Sequence, residues 1–476
     1  MTSIVQLKDI NEINGNCDVI HLIADRSAVQ ELGFSEAEAN YVKEVFQQKE
    51  KIVVVNHYTH QSIVVLVPDT TKLEKKEKLR LLGKDVCARI NAMKKDEVEV
   101  DGSRVNAEQT VCFLEGLVLA NYQFLTYFSD AKKIENSLVE LGVKGLSEKQ
   151  VGELSTVLEG VYLCRDLVNE PVITLDAVEL ADRFTKLGRE AGLSVEVFDK
   201  DQITDLGMGG LLGVNYGSEI PPTFSVMEWK PEGAKNENPI VMVGKGVVYD
   251  TGGLSLKPTA NSMDLMKSDM GGAATVFSSI YTAARLSLPV WIVALVPATD
   301  NRPGKNAVTP GDVLEMYNGK TVEVKNTDAE GRLILADGLS YGDKYKPELM
   351  MSWATLTGAA AYSIGPTAAV MMGDADPEVK AKLMEAGEEV HERMVEFPFW
   401  SDYDEEIKSD IADISNLGGA WGGAITAGKF LKNFTDHAYI HVDIAGPCFL
   451  TAPRGYNPKG GSGYGVRALV NFFKKY

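Results

Sequence analysis

Residues 239–257 read Pro-Ile-Val-Met-Val-Gly-Lys-Gly-Val-Val-Tyr-Asp-Thr-Gly-Gly-Leu-Ser-Leu-Lys. The apolar run at residues 239–243 is short, which is typical of a strand buried within a sheet. The run ends in Gly244, Lys245 and Gly246, so we expect the lysine at the carboxyl end of this strand. Open α/β sheets bind their ligands at that edge. The stretch therefore predicts an α/β sheet with a ligand site beside Lys245.

Strand-like and helix-like patterns alternate over the carboxy-terminal two thirds of the chain. Strand-like runs lie near residues 194–198, 223–228, 240–243, 290–296 and 349–354, with helix-like segments between them. This alternation predicts a larger α/β domain in which helices cover both faces of a mostly parallel central sheet. We also predict a charged amphipathic helix over residues 374–396.

The amino-terminal third has a similar but shorter pattern. Strand-like runs at residues 52–56 and 62–67 alternate with helix-like ones at residues 37–48 and 107–117, which predicts a smaller α/β domain. Apolar residues recur at helical spacing over residues 147–167. We therefore divide the chain into an amino-terminal domain at 1–150, a connecting helix at 151–170 and a catalytic domain at 171–476.

A second informative stretch, residues 326–333, reads Asn-Thr-Asp-Ala-Glu-Gly-Arg-Leu. If it is extended, alternate residues point the same way, and Asp328, Glu330 and Arg332 converge on one small volume. Carboxylate oxygens suit divalent cations, and two such acids can bridge a metal pair. An arginine fork can hold a carboxylate or a carbonate-like anion. Taken alone, the stretch fits a solvated charged loop equally well.

Further charged residues lie between these two stretches. Asp250 precedes a Thr-Gly-Gly turn, Lys257 follows it, and Asp269 stands before a helix-like run, a position that favours aspartate. Each residue has an ordinary alternative: Lys245 as a surface lysine, Asp250 as a turn residue, Asp269 as a helix cap and Lys257 as a loop charge. Four acids and three basic residues at glycine-rich breaks within residues 245–332 favour a functional site instead.

Together these motifs resemble the leucyl aminopeptidase (M17) family of metallopeptidases. The resemblance covers about residues 160–476 and rests chiefly on residues 244–258, 267–270 and 326–333. Residues 326–333, hereafter the octapeptide, form the most specific of these motifs, because short glycine-rich segments occur in many proteins. Flanking stretches resemble the family at residues 165–171, 207–212, 354–359, 422–426 and 441–446.

The resemblance implies two divalent metal ions, Mn²⁺ or Zn²⁺, in a carboxylate-rich site. It implies that Asp250 and Glu330 bridge both ions, that Lys245 and Asp269 complete the tighter site, and that Asp328 completes the exchangeable one. Oxygen ligands also suit Mg²⁺, and an amine ligand is compatible with Zn²⁺, so the sequence does not identify the metal.

One alignment remains open within this site. The segment between Lys257 and Asp269 is one residue longer than in the commonest family members, so Asp264 is the alternative to Asp269 as a ligand. The chain also reads Glu-Pro-Val-Ile-Thr at residues 170–174, where the family more often has Pro-Pro-Asn.

The same resemblance implies an enzyme that releases amino-terminal residues from peptides. Lys257 would stabilise the oxyanion, and a bicarbonate held by Arg332 would relay a proton from the attacking water. Lys257, Met266, Asn326 and Thr355 would contact the substrate, and this pocket would suit an apolar residue such as leucine. The resemblance also implies a homohexamer.

Composition narrows the class of protein further. The net charge of −19 and the pI near 4.9 disfavour a general nucleic-acid binder. Five scattered cysteines, an odd number, indicate free thiols in a reducing compartment, and the amino terminus lacks the pattern of a signal peptide. The uncharged residues 349–373 contain glycine, proline and hydroxyl residues, which favour strand, loop and helix start over a membrane span. We therefore expect a cytoplasmic protein.

Other catalytic classes lack their motifs in this chain. The six histidines form no H-E-x-x-H cluster, and neither a G-x-S-x-G elbow nor a P-loop is present. Two alternatives stay open beside the peptidase. One is a two-metal phosphoesterase, since paired carboxylates also serve phosphoryl transfer. The other is a non-catalytic or DNA-binding protein on the same scaffold.

Overall fold

The computed structural model describes residues 2–476 and divides into two compact units. The first unit ends at Tyr162 and includes Ala452–Lys459, while the second consists of Leu163–Thr451 and Gly460–Tyr476. The division of the chain into functional domains at 1–150, 151–170 and 171–476 stays a prediction.

The first unit is a six-stranded α/β sheet. Its strands follow the order β1-β6-β5-β2-β4-β3, and all neighbours pair in parallel except β3 and β4, which are antiparallel. The elements are β1 (Gln6–Asp9), β2 (Val19–Ile23), α1 (Glu36–Gln47), β3 (Ile52–Asn56), β4 (Gln61–Leu66), α2 (Leu73–Ala92), β5 (Glu97–Asp101), α3 (Ala107–Asn121), α4 (Ala131–Ile134), β6 (Glu140–Lys144) and the start of α5 (Glu148–Asn169).

The second unit contains the remaining helices and strands. Up to the octapeptide they are α6 (Ala177–Glu190), β7 (Ser194–Phe198), α7 (Lys200–Leu206), α8 (Gly209–Asn215), β8 (Thr223–Trp229), β9 (Ile240–Gly244), β10 (Gly246–Asp250), α9 (Gly271–Arg285), β11 (Ile292–Asn301), β12 (Val313–Glu315) and β13 (Thr321–Glu323). After it come α10 (Gly331–Gly342), β14 (Leu349–Ala354), α11 (Gly358–Ile364), β15 (Ala369–Gly373), α12 (Pro377–Glu389), β16 (Met394–Glu396), β17 (Ile414–Ser415), α13 (Gly423–Lys432), β18 (Tyr439–Asp443), β19 (Phe449–Leu450), β20 (Gly460–Gly461) and α14 (Val466–Lys475).

The central sheet of this unit has the order β16-β15-β18-β14-β9-β11-β8-β7, and β10 pairs with β11 beyond the end of β9. The middle strands β18, β14, β9 and β11 run parallel, whereas β8, on one side, and β15, on the other, pair antiparallel with this block. The predicted α/β class with a mostly parallel central sheet is confirmed, and antiparallel strands border the parallel block.

The centre of the sheet is wholly buried, as its apolar sequence predicts. Every residue of β9, β11 and β14 is buried, and α9 and α10 pack against these strands with almost every residue buried. Gly272 allows the first turn of α9 to lie directly against β14, because a Cβ there would lie 2.0 Å from the carbonyl oxygen of Trp353. Parallel β9, β11 and β14 therefore direct their carboxyl ends to one edge, where ligands bind in such sheets.

The predicted helix over residues 374–396 is only partly correct. Helix α12 is shorter, since Asp376 caps its start and Pro377 occupies its first turn. It ends before His391, which has a left-handed φ of 60° that a helix cannot continue through. Residues Met394–Glu396 form β16, which pairs parallel with β15. The predicted helix at 147–167 is confirmed by α5, and within residues 2–476 no helix is long and apolar enough to cross a bilayer.

Candidate metal centre and active site

Lys245 lies immediately after β9, at the edge of the sheet that the sequence predicted. Its ammonium group donates to Asp269 Oδ1 at 2.8 Å and to the carbonyl of Thr355 at 3.0 Å, and lies 2.9 Å from Glu330 Oε1. Burial opposes the charge of this lysine, but Asp269, Glu330 and Asp250 outweigh burial and raise its pKa above the ordinary value. Lys245 is therefore a buried cation held by several acids.

Three carboxylates form a cluster with the spacing of a metal site. Asp250 ends β10, Asp328 lies in a turn, and Glu330 directly precedes α10. One ligand oxygen from each lies within 4.8 Å of the others. Burial, followed by repulsion from Asp250, raises the pKa of Glu330 to about 8 and also raises that of Asp328. These acids repel one another when charged, and a divalent cation would relieve that repulsion.

The second oxygen of Glu330 supports the same interpretation. Glu330 Oε2 is buried and has no hydrogen-bond partner among residues 2–476. An unpaired buried carboxylate oxygen is costly, so such an atom is a candidate ligand. Hard oxygen donors of this kind suit Mg²⁺ or Mn²⁺, and Zn²⁺ also accepts carboxylate ligands, so the residues present fit a divalent metal ion.

Asp269, not Asp264, lies beside Lys245. Asp269 is buried at the approach to α9 and also accepts a hydrogen bond from Thr355 Oγ1 at 2.8 Å. Burial raises the pKa of its carboxyl to about 6. Asp264 is exposed, and its carboxylate accepts from the backbone N–H of Ser262 at 3.0 Å. The geometry thus favours the alignment that places Asp269 in the site.

Lys257 is the second lysine of the cluster. Its ammonium group lies 2.8 Å from Asp250 Oδ2 and 2.5 Å from Asp328 Oδ1. Burial opposes the charge here too, but the surrounding carboxylates, Asp250 first, raise its pKa above the ordinary value. Because its side chain keeps some exposure, this cation can reach a molecule bound at the edge of the site.

Residues 326–332 are not extended, so strand alternation is not what brings Asp328, Glu330 and Arg332 together. Thr327 and Asp328 form a turn, in which Asn326 Oδ1 accepts from the backbone N–H of Asp328 at 2.8 Å. Such side-chain bonds to the following backbone favour turns over strands. Arg332 then falls in the first turn of α10. The charges are brought together by a turn and a helix start, not by strand alternation.

Arg332 is buried and only partly bonded. Its Nη1 donates to the carbonyl of Asn416 at 2.8 Å, whereas its Nε has no hydrogen-bond partner among the described residues. Burial lowers the pKa of the guanidinium to about 10, so the group stays charged at neutral pH. A buried cation with an unused donor is suited to a small anion.

The remaining predicted substrate residues lie around this cluster in different ways. Thr355 follows β14 and touches both Asp269 and Lys245. The side chain of Asn326 is engaged in the turn described above. Met266 lies in a 3₁₀ helix, where its carbonyl accepts from the N–H of Asp269 at 3.2 Å. The side chain of Thr355 thus contacts a carboxylate of the cluster, and that of Asn326 contacts the backbone of Asp328.

Two buried asparagines at the site were not predicted from the sequence. Asn301, the last residue of β11, donates to Asp250 Oδ1 at 2.8 Å and to the carbonyl of Thr327 at 3.0 Å. A polar residue ending a buried strand is the same signal that identified Lys245, so Asn301 could have been found. Asn416 carried no such signal, because it follows a two-residue strand far along the chain.

The sequence of this chain is similar to those of known aminopeptidases. A model of the cytosol aminopeptidase family, catalytic domain, matches residues 162–470. A probable cytosol aminopeptidase of Chlorobium limicola is 42% identical over 410 residues, which cover 81% of this chain and 80% of the relative. Another, of Chlorobaculum tepidum, is 50% identical over 313 residues, which cover 65% of this chain and 61% of the relative.

Solved structures agree with the sequence relatives. A mutant of tomato leucine aminopeptidase matches with a TM-score of 0.86 at 26% identity, covering 100% of this chain and 97% of that one. The bottromycin maturation enzyme BotP in complex with Mn matches with a TM-score of 0.85 at 27% identity, covering 97% and 99%. The resemblance to the leucyl aminopeptidase family is confirmed: the chain belongs to the cytosol aminopeptidase family and is a hydrolase of the aminopeptidase class.

Proposed function

We propose that this protein releases amino-terminal residues from peptides with the help of two divalent metal ions, Mn²⁺ or Zn²⁺. Asp250 and Glu330 would bridge the two ions, Lys245 and Asp269 would complete one site, and Asp328 would complete the other. When bound, the ions supply an activated water at neutral pH and polarise the scissile carbonyl. Lys245 could serve as a ligand only as a neutral amine, after its proton has passed to solvent.

The remaining charged residues act directly on the reacting groups. Lys257 would stabilise the negative charge that develops on the carbonyl oxygen, since it is a cation at the accessible side of the cluster. Arg332 would hold a bicarbonate close to the attacking water, in place of a side-chain base. Its unpaired, buried Nε supports this role.

The substrate class follows from the same site. The free α-amine of the substrate would bind a metal ion beside Asp269. Because a blocked amine is a poor metal ligand, the reaction would be restricted to amino-terminal residues. Met266, Asn326 and Thr355 would surround the first side chain, and we propose a preference for leucine and other apolar residues. We also propose a homohexamer that works in the cytoplasm, as the family resemblance implies.

The observation that carries the proposal is the cluster of Asp250, Asp328 and Glu330 beside two lysines. The test is hydrolysis of leucine p-nitroanilide and of its N-acetylated analogue, after EDTA treatment and again after addition of Mn²⁺ or Zn²⁺. We expect metal to restore cleavage of the free-amine substrate alone. Equal cleavage of both substrates, or full activity in EDTA, contradicts the proposal.

Oligomeric state needs a separate measurement. Sedimentation equilibrium of the metal-loaded protein should give a mass near six times the 51.8 kDa of one chain. A mass near that of one chain contradicts the homohexamer but leaves the proposed reaction untouched.

A further inference from the structure

Asn416 is a fully buried residue whose hydrogen bonds reach the segment from Glu323 to Arg332. It follows β17, which pairs parallel with β13, and its backbone N–H donates to the carbonyl of Glu323 at 2.9 Å. Two residues after Glu323 lead the chain into the octapeptide. Asn416 therefore lies alongside the segment that carries Asp328, Glu330 and Arg332.

The side-chain amide of Asn416 joins the two ends of the turn that holds Asp328. Its Oδ1 accepts from the backbone N–H groups of Lys325 at 2.8 Å and Asn326 at 3.3 Å. Its Nδ2 donates to the carbonyls of Asn326 at 2.7 Å and Ala329 at 3.3 Å. One amide thus satisfies four backbone groups of a single short turn.

The backbone of Asn416 also contacts Arg332. Its carbonyl accepts the hydrogen bond from Arg332 Nη1 at 2.8 Å. A shift of this residue would therefore move the turn and the guanidinium together. The amide geometry is also specific, because aspartate would place a second acceptor oxygen against the carbonyls of Asn326 and Ala329.

We propose that Asn416 is a positioning residue for catalysis, which fixes the turn bearing Asp328 and the guanidinium of Arg332 relative to each other. The proposal rests on the aminopeptidase function proposed above. Residues that orient metal ligands through hydrogen bonds typically change metal affinity or activity when they are lost. A residue that only stabilises the fold changes neither quantity per folded molecule.

The chain offers a matched control at Asn236. This asparagine is also buried, and its Nδ2 donates to the carbonyls of Asn238 at 2.8 Å and Trp291 at 2.9 Å, while its Oδ1 accepts from the N–H of Trp291 at 2.7 Å. It precedes β9, at the end of that strand opposite Lys245. Its chemistry is that of Asn416, but its position is remote from the site.

The experiment compares Asn416→Asp with Asn236→Asp in the full chain. Both variants place a carboxylate against two backbone carbonyls, so we expect both to lower the melting temperature. After normalisation to folded protein, Asn416→Asp should weaken Mn²⁺ binding or lower kcat for leucine p-nitroanilide by about 10- to 100-fold. Asn236→Asp should leave Mn²⁺ affinity, kcat and KM at wild-type values.

Two results would overturn the inference. One is wild-type Mn²⁺ affinity and kcat in folded Asn416→Asp, and the other is an equal loss in both variants. Should Asn416→Asp fail to fold, Asn416→Ser, which keeps one donor and introduces no charge, is subject to the same two outcomes. Failure of the proposed function is distinguishable, because the wild type itself would then not cleave leucine p-nitroanilide, while Mn²⁺ affinity would still test Asn416.

Discussion

Lys257 and Asp250 form an ion pair at the candidate metal centre, with 2.8 Å between Nζ and Oδ2. The same carboxylate accepts from Asn301 through its other oxygen, also at 2.8 Å. Asp250 is thus held on both sides, and its orientation is fixed by the protein itself. In the proposed reaction the two partners have different roles: the aspartate would bind metal, and the lysine would act on the substrate.

Replacement of Asp250 by asparagine tests the first role. The side chain keeps its size but loses its charge and one acceptor oxygen, so we expect Mn²⁺ affinity to fall by at least about 100-fold and activity to disappear with it. Isothermal titration calorimetry of EDTA-treated protein measures the affinity. Asp264→Asn is the control, because Asp264 is an exposed carboxylate away from Lys245, and it should bind Mn²⁺ normally.

Replacement of Lys257 by methionine tests the second role. Its cation would be needed chiefly when the carbonyl oxygen becomes negative, so kcat should fall by about 10²- to 10³-fold with little change in KM. Metal content, measured by atomic emission on the purified variant, should match that of the wild type. Loss of metal together with activity would show that Lys257 holds the centre together and does not stabilise the oxyanion.

The sequence predicts the frame of this site because its signals are local. A short apolar run followed by Gly-Lys-Gly predicts a buried strand with a lysine at its end, and β9 with Lys245 has that form. The strands predicted at 194–198 and 349–354 agree with β7 and β14 for the same reason. Each of these predictions depends only on residues adjacent in the chain.

The features that the sequence did not predict depend on distant contacts. The turn of the octapeptide is fixed by Asn416, which lies 90 residues from Asn326 along the chain. No periodicity near either residue reports that contact. Likewise, residues 394–396 form β16 only because β15 offers them a pairing edge. The charged residues of the octapeptide are therefore identifiable from local sequence, whereas the turn that brings them together is not.

Replacement of Arg332 by lysine tests the proposed anion site. Lysine keeps the charge but lacks the planar fork, so it cannot both reach the carbonyl of Asn416 and present a second donor to bicarbonate. In buffer depleted of carbon dioxide, added bicarbonate should stimulate wild-type hydrolysis of leucine p-nitroanilide. The variant should be slower, by about tenfold or more, and should respond weakly. An equal stimulation of both proteins would place any bicarbonate effect away from Arg332.

We expect Asp337, which is separate from the candidate metal centre, to make the stability of the fold depend on pH. It lies fully buried on α10, where its carboxylate accepts from the N–H groups of Leu211 at 2.8 Å and Tyr317 at 2.9 Å. Burial outweighs these bonds and raises its pKa to about 7. Its unfolded value is near 3.9, so between about pH 4 and pH 7 the folded protein binds the additional proton.

Because the folded state binds that proton, Asp337 contributes stability below about pH 4 that is lost as the pH rises towards about 7. The full change corresponds to at most about 4 kcal/mol of unfolding free energy. An asparagine in its place cannot titrate, so the melting temperature of wild type minus that of Asp337→Asn should fall steadily from pH 4.5 to pH 7 in EDTA. Asparagine presents an amide donor to one of the same backbone N–H groups, so the variant should be less stable than the wild type at pH 4.5. A difference in melting temperature that stays constant or rises over this range would mean that the backbone hydrogen bonds, and not burial, govern the charge of Asp337.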